Sequence, residues 1–577
     1  MLLRLVSLLV LAAPLAASTL HLHVQPLSGG APLILDSQRY DNAAHETYSI
    51  TRCSFLLSGF ALQKEDGSWL EHPSHIAWID FAQKRWDTAL ENVPAGRYKA
   101  LKLHLGLDSK TNAADVTKYP ADHPLNPNLN GLHWSWQGGF IFLALEGAFK
   151  PPNGRPGGFS YHLARDPNRT EIVFTGDFDL TADSAAEIGL DVHLLLNGPK
   201  PLSFEKDGLS THSHDGDPVA AALRTNLAST FTLKGITSSL PEISRPSPIK
   251  PLYVPAKHTP YRFTISGYFP IPPLPRDNPL LEERVALGER LFNDTALSRD
   301  GTLSCASCHL RANAFTDPRR FSEGVESRIG TRNGMPLFNL AWKTSFFWDG
   351  RAPSLRAQTL MPVQDHLEMD EKLENVVTKL EKTSREHFAR AFDSEVITPE
   401  RISLALENYL LTLTSFDSKF DRAMAGKETL TDEEKRGFEL FMTEYEPRMG
   451  QKGADCFHCH GGPLFSDHQF HNNGLSPGET DTGRERVTQD ERDLYKFSTP
   501  SLRNIALTAP YMHDGRFQTL EEVIEHYDHN LRRSPTLDPN LAKHPPTGIR
   551  LSAEDKKALL AFLKTLTDEK YLAKPSQ

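Results

Sequence analysis

Cysteine is scarce in this chain: five residues in 577. A small, odd number in a chain of this length excludes a disulfide scaffold. Excess positive charge is lacking too. The 63 Lys and Arg are outnumbered by 73 Asp and Glu, giving a formal charge of −10. No basic field is present to neutralise phosphates, which argues against nucleic-acid binding. Long apolar runs are nearly absent. The run Leu5 to Leu15 is shorter than the ~20 residues that span a bilayer. It follows Arg4 and precedes Ala16-Ala17-Ser18, so residues 1–18 read as a secretory signal and predict an exported, soluble protein without a membrane span. No cysteine follows the run, so a lipid anchor is not expected. Hydrophobic residues make up 39%, enough with the glycines to exclude wholesale disorder.

What is present divides the chain. Over 19–235 the apolar residues alternate: Leu101, Leu103, Leu105 and Leu107; Ile172, Phe174, Phe178 and Leu180; Ile188, Leu190, Val192, Leu194 and Leu196. Period two with Gly, Pro, Asn and Asp breaks predicts an all-β sandwich or barrel of antiparallel strands. Residues 236–276 are proline-rich, with ten prolines from Pro241 to Pro275, and predict an extended linker. Beyond it the period becomes helical, as in Leu280, Val285, Leu287 and Leu291 and again in Ile402, Leu406, Leu410 and Leu413. This C-terminal part repeats. Leu287-Gly288-Glu289-Arg290-Leu291-Phe292, Cys305-x-x-Cys308-His309 and Trp348-Asp349-Gly350-Arg351 recur in order as Arg436-Gly437-Phe438-Glu439-Leu440-Phe441, Cys456-x-x-Cys459-His460 and His513-Asp514-Gly515-Arg516. Two homologous, mainly α domains follow, 277–425 and 426–577.

Four of the five cysteines thus sit in two Cys-x-x-Cys-His motifs. Such a motif attaches a c-type haem: the thiols form thioethers and the adjacent His becomes the proximal iron ligand. Two in a repeated frame predict two covalent haems, held by Cys305, Cys308 and His309 and by Cys456, Cys459 and His460. A zinc site would not need a His after both pairs, and a redox dithiol would sit in a βαβ pattern that is absent. The repeat also compares the far sides of the two irons. Fourteen residues after Trp348 stands Pro362; fourteen after His513 stands Tyr527. A phenolate ligates ferric haem and proline does not, so the first haem is expected to be five-coordinate and the second capped by Tyr527. In the alternative, Tyr527 packs beside the haem and Met512 or another Met is the ligand; separately, Met361, next to Pro362, is a candidate cap for the first haem. Cys53 is expected to be a buried thiol, with copper ligation or an intermolecular disulfide as alternatives.

Over about 277–570 the chain resembles the bacterial dihaem cytochrome c peroxidases. The resemblance rests on Leu-Ser-x-Asp-Gly-x-x-Ser-Cys-x-x-Cys-His at 297–309, Phe-Trp-Asp-Gly-Arg at 347–351, Glu368-Met369, and Leu-Arg-Asn-x-x-x-Thr-x-Pro-Tyr-x-His-Asp-Gly at 502–515. It implies that H2O2 is the oxidant, that Trp348 lies between the haems and relays electrons, and that Glu368 is the acid–base group for O–O cleavage. It also implies a calcium ion between the haem domains, held by Asn333, Thr508 and Pro510, the last two through main-chain carbonyls. Tyr527 in place of the peroxidases' Met resembles the subgroup typified by MauG, which oxidises protein tryptophans. The 317–334 loop contains no His, so the removable distal His of the peroxidases is not expected.

Residues 133–140, His-Trp-Ser-Trp-Gln-Gly-Gly-Phe, followed by Leu145-Glu146-Gly147, resemble the MbnP-type periplasmic copper-binding proteins, with Phe140 in place of a more usual Tyr. In that family a Trp is oxidised to kynurenine by a MauG-type dihaem partner, MbnH. The resemblance implies that substrate and enzyme are fused here, with Trp134 or Trp136 the substrate; the residues themselves offer His133, beside the Trp pair, and His162, after Phe-Ser-Tyr, as copper candidates, with His212 and His214 in a polar loop. Imidazole suits copper, although any one histidine is more often an ordinary surface or core residue. The expected rival is a peroxidase fed by a small electron-donor cytochrome, its β domain serving as a copper store or docking module. A non-enzymatic copper-binding or electron-transfer protein is a third reading, and a homodimer is compatible with all three.

Overall fold

The computed structural model describes residues 17–37, 39–134, 139–152, 154, 156–237, 252–447, 450–475 and 480–572. The chain forms two compact units, Met1–Ala113 with Phe140–Asn153 and Tyr161–Arg245, and Ala114–Gly139 with Gly154–Ser160 and Pro246–Gln577. The signal run and Trp136 lie outside the described residues. Ala17 and Ser18 begin the first strand, where Ser18 Oγ donates to Leu180 O at 2.8 Å.

The first unit is built on two sheets. The strands are β1 (Ala17–Ser28), β2 (Thr47–Lys64), β3 (Asp87–Pro94), β4 (Arg97–Leu105), β5 (Ile141–Lys150), β6 (Gly157–Ala164), β7 (Thr170–Asp179), β8 (Ser184–Asp191) and β9 (Phe231–Thr237). One sheet runs β9-β8-β1 with β3 also on β1; the other runs β7-β4-β2-β5-β6. The alternation was a sound guide to burial: Leu20, Leu22 and Val24 of β1 and Leu101, Leu103 and Leu105 of β4 face inward. Each such side chain contributes about 1.5–3 kcal/mol by leaving water.

Two expectations fail here. β1 and β8 pair in parallel, Leu22 against Ala186 and Val24 against Ile188; period two reports the faces of a strand and not its direction. The run Ile188 to Leu196 is not one strand. It breaks at Asp191, whose carboxylate accepts from His193 N at 3.1 Å and caps the short helix α1 (Val192–Asn197). An Asp side chain offers the backbone an N-cap that alternation does not register.

In the second unit, the C-terminal part of the proline-rich stretch is not a free connector. Leu252, Tyr261, Phe263 and Ile265 pack against the core, Tyr261 N donates to Leu280 O at 3.0 Å, and the buried Arg284 guanidinium donates to Leu252 O and Tyr253 O at 2.8 and 2.6 Å. Apolar residues between the prolines give this extended chain something to bury.

Among its helices are α2 (Glu282–Phe292), α3 (Met361–Gln364), α4 (Pro399–Thr412), α5 (Asp432–Met442), α6 (Leu520–His529) and α7 (Ala553–Lys564). Thr431 with Glu434 and Thr519 with Glu522 form capping boxes that start α5 and α6. The repeat is visible in packing. α2 crosses α4 at Gly288, where a Cβ would stand 2.1 Å from Ala405 O; α5 crosses α7 at Gly437, where a Cβ would stand 2.0 Å from Ala558 O. The two glycines of the repeated hexapeptide therefore serve close helix crossings, one per haem motif. A second matched pair follows. Asn339 takes the chain after α4, with its N–H on Leu413 O (2.7 Å) and its Oδ1 accepting from Ser415 N (2.8 Å). Asn504 takes the chain after α7, with its N–H on Leu566 O (2.9 Å) and its Oδ1 accepting from Asp568 N (2.8 Å).

The halves are not separate bodies. Arg503, fully buried, grips Asp421 through two bonds of 2.8 and 2.9 Å, and Phe420 N donates to Thr565 O. These contacts run across residue 425 within one compact unit.

Candidate dihaem site

Both Cys-x-x-Cys-His motifs fold as helical turns in which the His N–H reaches back to the first cysteine's carbonyl, at 3.0 Å in each case. Each imidazole is then oriented identically. His309 Nδ1 donates to Phe315 O at 2.9 Å, and His460 Nδ1 to Phe465 O at 3.1 Å. The accepting phenylalanines hold φ of +59° and +51°, a strained conformation for a bulky residue that turns the carbonyl toward the ring. With Nδ1 committed, Nε2 is the nitrogen that would meet iron. Burial pushes both imidazoles down, toward the neutral form that binds metal.

Cys305, Cys308 and His309 line a cavity of about 740 Å³ together with Trp348, Pro362, Glu368 and Met369. The donor set and the room fit a covalent haem. Pro362 lines this cavity, whereas Met361 packs with the neighbouring core. Burial pushes the Glu368 carboxyl up to about 7, Asp365 adding to the rise and Arg351 opposing it. A carboxyl near 7 can both accept and release a proton at neutral pH. His366, His468 and Lys343 also line the cavity; burial lowers Lys343 to about 8 and His468 to about 4.

Trp348 is held from both halves of the repeat. Its Nε1 donates to Asn333 O at 2.9 Å, and its carbonyl accepts from Ser498 N at 2.7 Å. Asn333 N donates in turn to His513 O at 2.8 Å. The Asn333 amide donates to Arg319 O and Arg320 O, and Thr508 is buried with its hydroxyl on Ile505 O. Asn333 and Trp348 are thus hydrogen-bonded to each other, whereas Thr508 hydrogen-bonds within its own turn.

The second motif has its own surroundings. Tyr527, on α6, lies beside Cys456 and Cys459, and burial raises its phenol well above the ordinary value. Asn473 Nδ2 donates to Tyr527 Oη at 3.3 Å and lies 3.4 Å from Met512 Sδ. The fold therefore brings together both ligands that the sequence left open, through an asparagine that carried no sequence signal. Beneath the motif lies a buried ion network of Glu444, Asp455, His458, Lys543 and His544. Burial alone would lower His458, but Glu444 and Asp455 override it and hold the imidazole up at about 9.

In the β unit, His162 Nε2 meets Glu146 Oε1 at 2.9 Å, Arg52 reaches the same carboxylate at 3.3 Å, and the rings of His162 and His212 lie edge to face at 5.1 Å. Glu146 is the member that histidine counting missed. Cys53 is fully buried, as expected, and burial raises its thiol beyond ordinary reactivity. His133 and Trp134 fall in the other unit, on the segment 114–139; burial pushes His133 down to about 4.

Two oriented imidazoles beside two cysteine pairs, with a buried carboxyl lining the same cavity as the first, define a two-haem c-type peroxidase. Comparison with known proteins agrees. The family model for di-haem cytochrome c peroxidase matches residues 282–429, and that for MbnP matches 17–213. The methylamine utilization protein MauG of Methylorubrum extorquens is 37% identical over 303 residues, 52% of this chain and 82% of that protein. The cytochrome c551 peroxidase of Nitrosomonas europaea is 34% identical over 309 residues, 52% of this chain and 84% of that protein. A crystal structure of a MauG-like protein associated with microbial copper homeostasis is 36% identical, covering 55% of this chain and 98% of that one, with a TM-score of 0.49. The chain belongs to the di-haem cytochrome c peroxidase family, with an MbnP region ahead of it. It is an oxidoreductase, and membership implies two haems. No helix among the described residues is long and apolar enough to cross a membrane.

Proposed function

We propose that this protein is a periplasmic enzyme that uses H2O2 to oxidise a tryptophan of its own N-terminal copper-binding region, Trp134 or Trp136, toward kynurenine. One observation carries the reading. The segment 114–139, with His133 and Trp134, belongs to the same compact unit as both haem motifs. Within that unit Asn128 Nδ2 donates to Trp342 O at 2.9 Å and Asn126 Nδ2 to Ile271 O at 3.2 Å, so the segment is tied to the element that precedes Trp348.

Cys305 and Cys308 would hold one haem and Cys456 and Cys459 the other, with His309 and His460 as the histidines that would meet iron and Tyr527 as the candidate further ligand beside the second motif. When bound, the haems accept the two oxidising equivalents of each peroxide. Glu368 takes the proton from the inner oxygen of H2O2 on a carboxylate oxygen and returns it to the outer oxygen, which leaves as water. Trp348 keeps its indole proton on Asn333 O while electrons pass. Two peroxides oxidise one tryptophan to N-formylkynurenine, adding two oxygen atoms and releasing two waters; hydrolysis then releases formate and leaves kynurenine. Asn333, Thr508 and Pro510 are assigned to calcium, and His162 and His133 to copper.

Peptide mapping by mass spectrometry before and after H2O2 tests this. Two added oxygens on Trp134 or Trp136, or one added oxygen with loss of the ring carbon released as formate, is the expected outcome. Unmodified tryptophans together with rapid oxidation of a reduced small cytochrome would replace it by the second reading, a cytochrome c peroxidase, which the Nitrosomonas relative favours.

A further inference from the structure

The turn that carries Glu368 is held by a charged cluster that the haem motifs do not use. Arg328 donates through Nη1 to His366 O and to Asp370 Oδ2, both at 2.8 Å, and through Nη2 to Glu326 Oε2 at 2.5 Å. Arg299 meets the same two carboxylates, Glu326 at 2.5 Å and Asp370 at 2.7 Å. Its N–H donates to Met369 O at 2.9 Å, and Val325 N donates to Glu368 O at 2.8 Å. Three residues of the turn, His366, Glu368 and Met369, are thereby held through their carbonyls. The approach is close enough to require glycine at 324, where a Cβ would stand 2.1 Å from Leu367 O and 2.7 Å from Glu368 O.

The turn alone is slight. It is closed by Glu368 N and Asp370 N, both on Asp365 O at 3.0 Å, and by Leu367 N on Asp365 Oδ1 at 2.9 Å, with Asp370 at φ +50°. Single exposed ion pairs contribute at most about 1 kcal/mol. Here two guanidiniums share two carboxylates, so ordering one pair also orders the next, and two of the bonds are charge-assisted donations to carbonyls or carboxylates within the turn.

We propose that Arg328 is a positioning residue for Glu368: with Glu326, Arg299 and Asp370 it clamps the turn so that the Glu368 carboxyl stands in the cavity. The proposal rests on the reading of Glu368 as the group that moves the peroxide proton.

The test uses the full, haem-loaded protein. In Arg328→Met, hydrogen exchange at the Val325 amide is expected to rise about tenfold or more, since its acceptor is the freed turn. The rate of reaction with H2O2 is expected to fall roughly 10- to 100-fold, the cost of a misplaced catalytic group. Its midpoint in pH is expected to move down from near 7, because Glu368 gains water while Asp365, Arg351, Cys305 and Cys308, the groups that face it, are unchanged. Arg328→Lys keeps the charge and is expected to restore part of the exchange protection and rate. Asp370→Asn opens the clamp from the other side and serves if Arg328→Met does not fold. Wild-type exchange at Val325 with a wild-type rate and midpoint in both Arg328→Met and Asp370→Asn would overturn the clamp. Glu368→Gln separates the two ideas: an unchanged peroxide rate in that variant removes the reading of Glu368, whereas a lost rate there with wild-type clamp variants removes only the clamp.

Discussion

Replacing Glu368 by Gln removes a buried charge and leaves the shape nearly unchanged. Burial holds the Glu368 carboxyl at about 7 against an ordinary value of 4.5. The folded state therefore keeps a proton that the unfolded chain releases. Below pH 4.5 both states are protonated and nothing is lost. As pH rises from 4.5 to 7 the unfolded state gains ionisation that the folded state resists, and stability falls; above 7 the full penalty is present. For such a displacement the loss between pH 5 and pH 8 is about 2.5 kcal/mol. Glu368→Gln has no such titration. Its stability relative to wild type should thus rise by about 2.5 kcal/mol across that interval, read from denaturant midpoints of both proteins at the two pH values. Over the same interval the wild-type reaction with H2O2 should follow a midpoint near 7, and the variant should lose roughly 10²- to 10⁴-fold. A stability difference flat to within about 0.5 kcal/mol would mean that Glu368 is hydrated, and the reasoning from burial would fail.

Gly288→Ala and Gly437→Ala each place a methyl group against a helix carbonyl at about 2 Å, so each should cost about 1–3 kcal/mol in thermal or denaturant unfolding. Lys543→Met leaves Glu444 and Asp455 buried with half their compensation; a loss of about 3–5 kcal/mol is expected, with a smaller loss for Lys543→Arg. Tyr527→Phe removes the phenol while keeping the ring, and electron paramagnetic resonance of the ferric protein should show a changed second haem beside an unchanged high-spin first one. An unchanged spectrum would transfer the ligand role to Met512.

Much of this protein was legible in its residues. Covalent haem attachment depends on local spacing, and Cys-x-x-Cys-His is wholly local, so the positions of both haem motifs and the two-fold repeat around them followed from sequence. The glycine of each repeated hexapeptide was visible, but its reason was not: only the crossing helices, at Ala405 and Ala558, explain it. Alternation located the buried faces of β1 and β4, because period two is a property of one strand. It missed the parallel pairing of β1 with β8 and ran through the cap at Asp191, because direction and capping depend on partners. Other supports were not legible: Phe315 and Phe465, a few residues after each motif, turn carbonyls to the histidines only through a left-handed backbone, and Asn473 meets Tyr527 and Met512 only across the fold.

Chain chemistry by itself determined that two Cys-x-x-Cys-His motifs are spaced to hold haem and that strands precede helices; the family resemblance pointed to the carboxyl of Glu368. Only the tertiary structure decided how that carboxyl comes to titrate near neutrality, which is a matter of the water removed around Glu368, and which residues hold it there. It also decided that the segment with His133 and Trp134 belongs to the unit of the haems rather than to the sheets on either side of it in sequence. Spacing along the chain fixes covalent chemistry; burial and electrostatics are properties of neighbours, and neighbours exist only once the chain has folded.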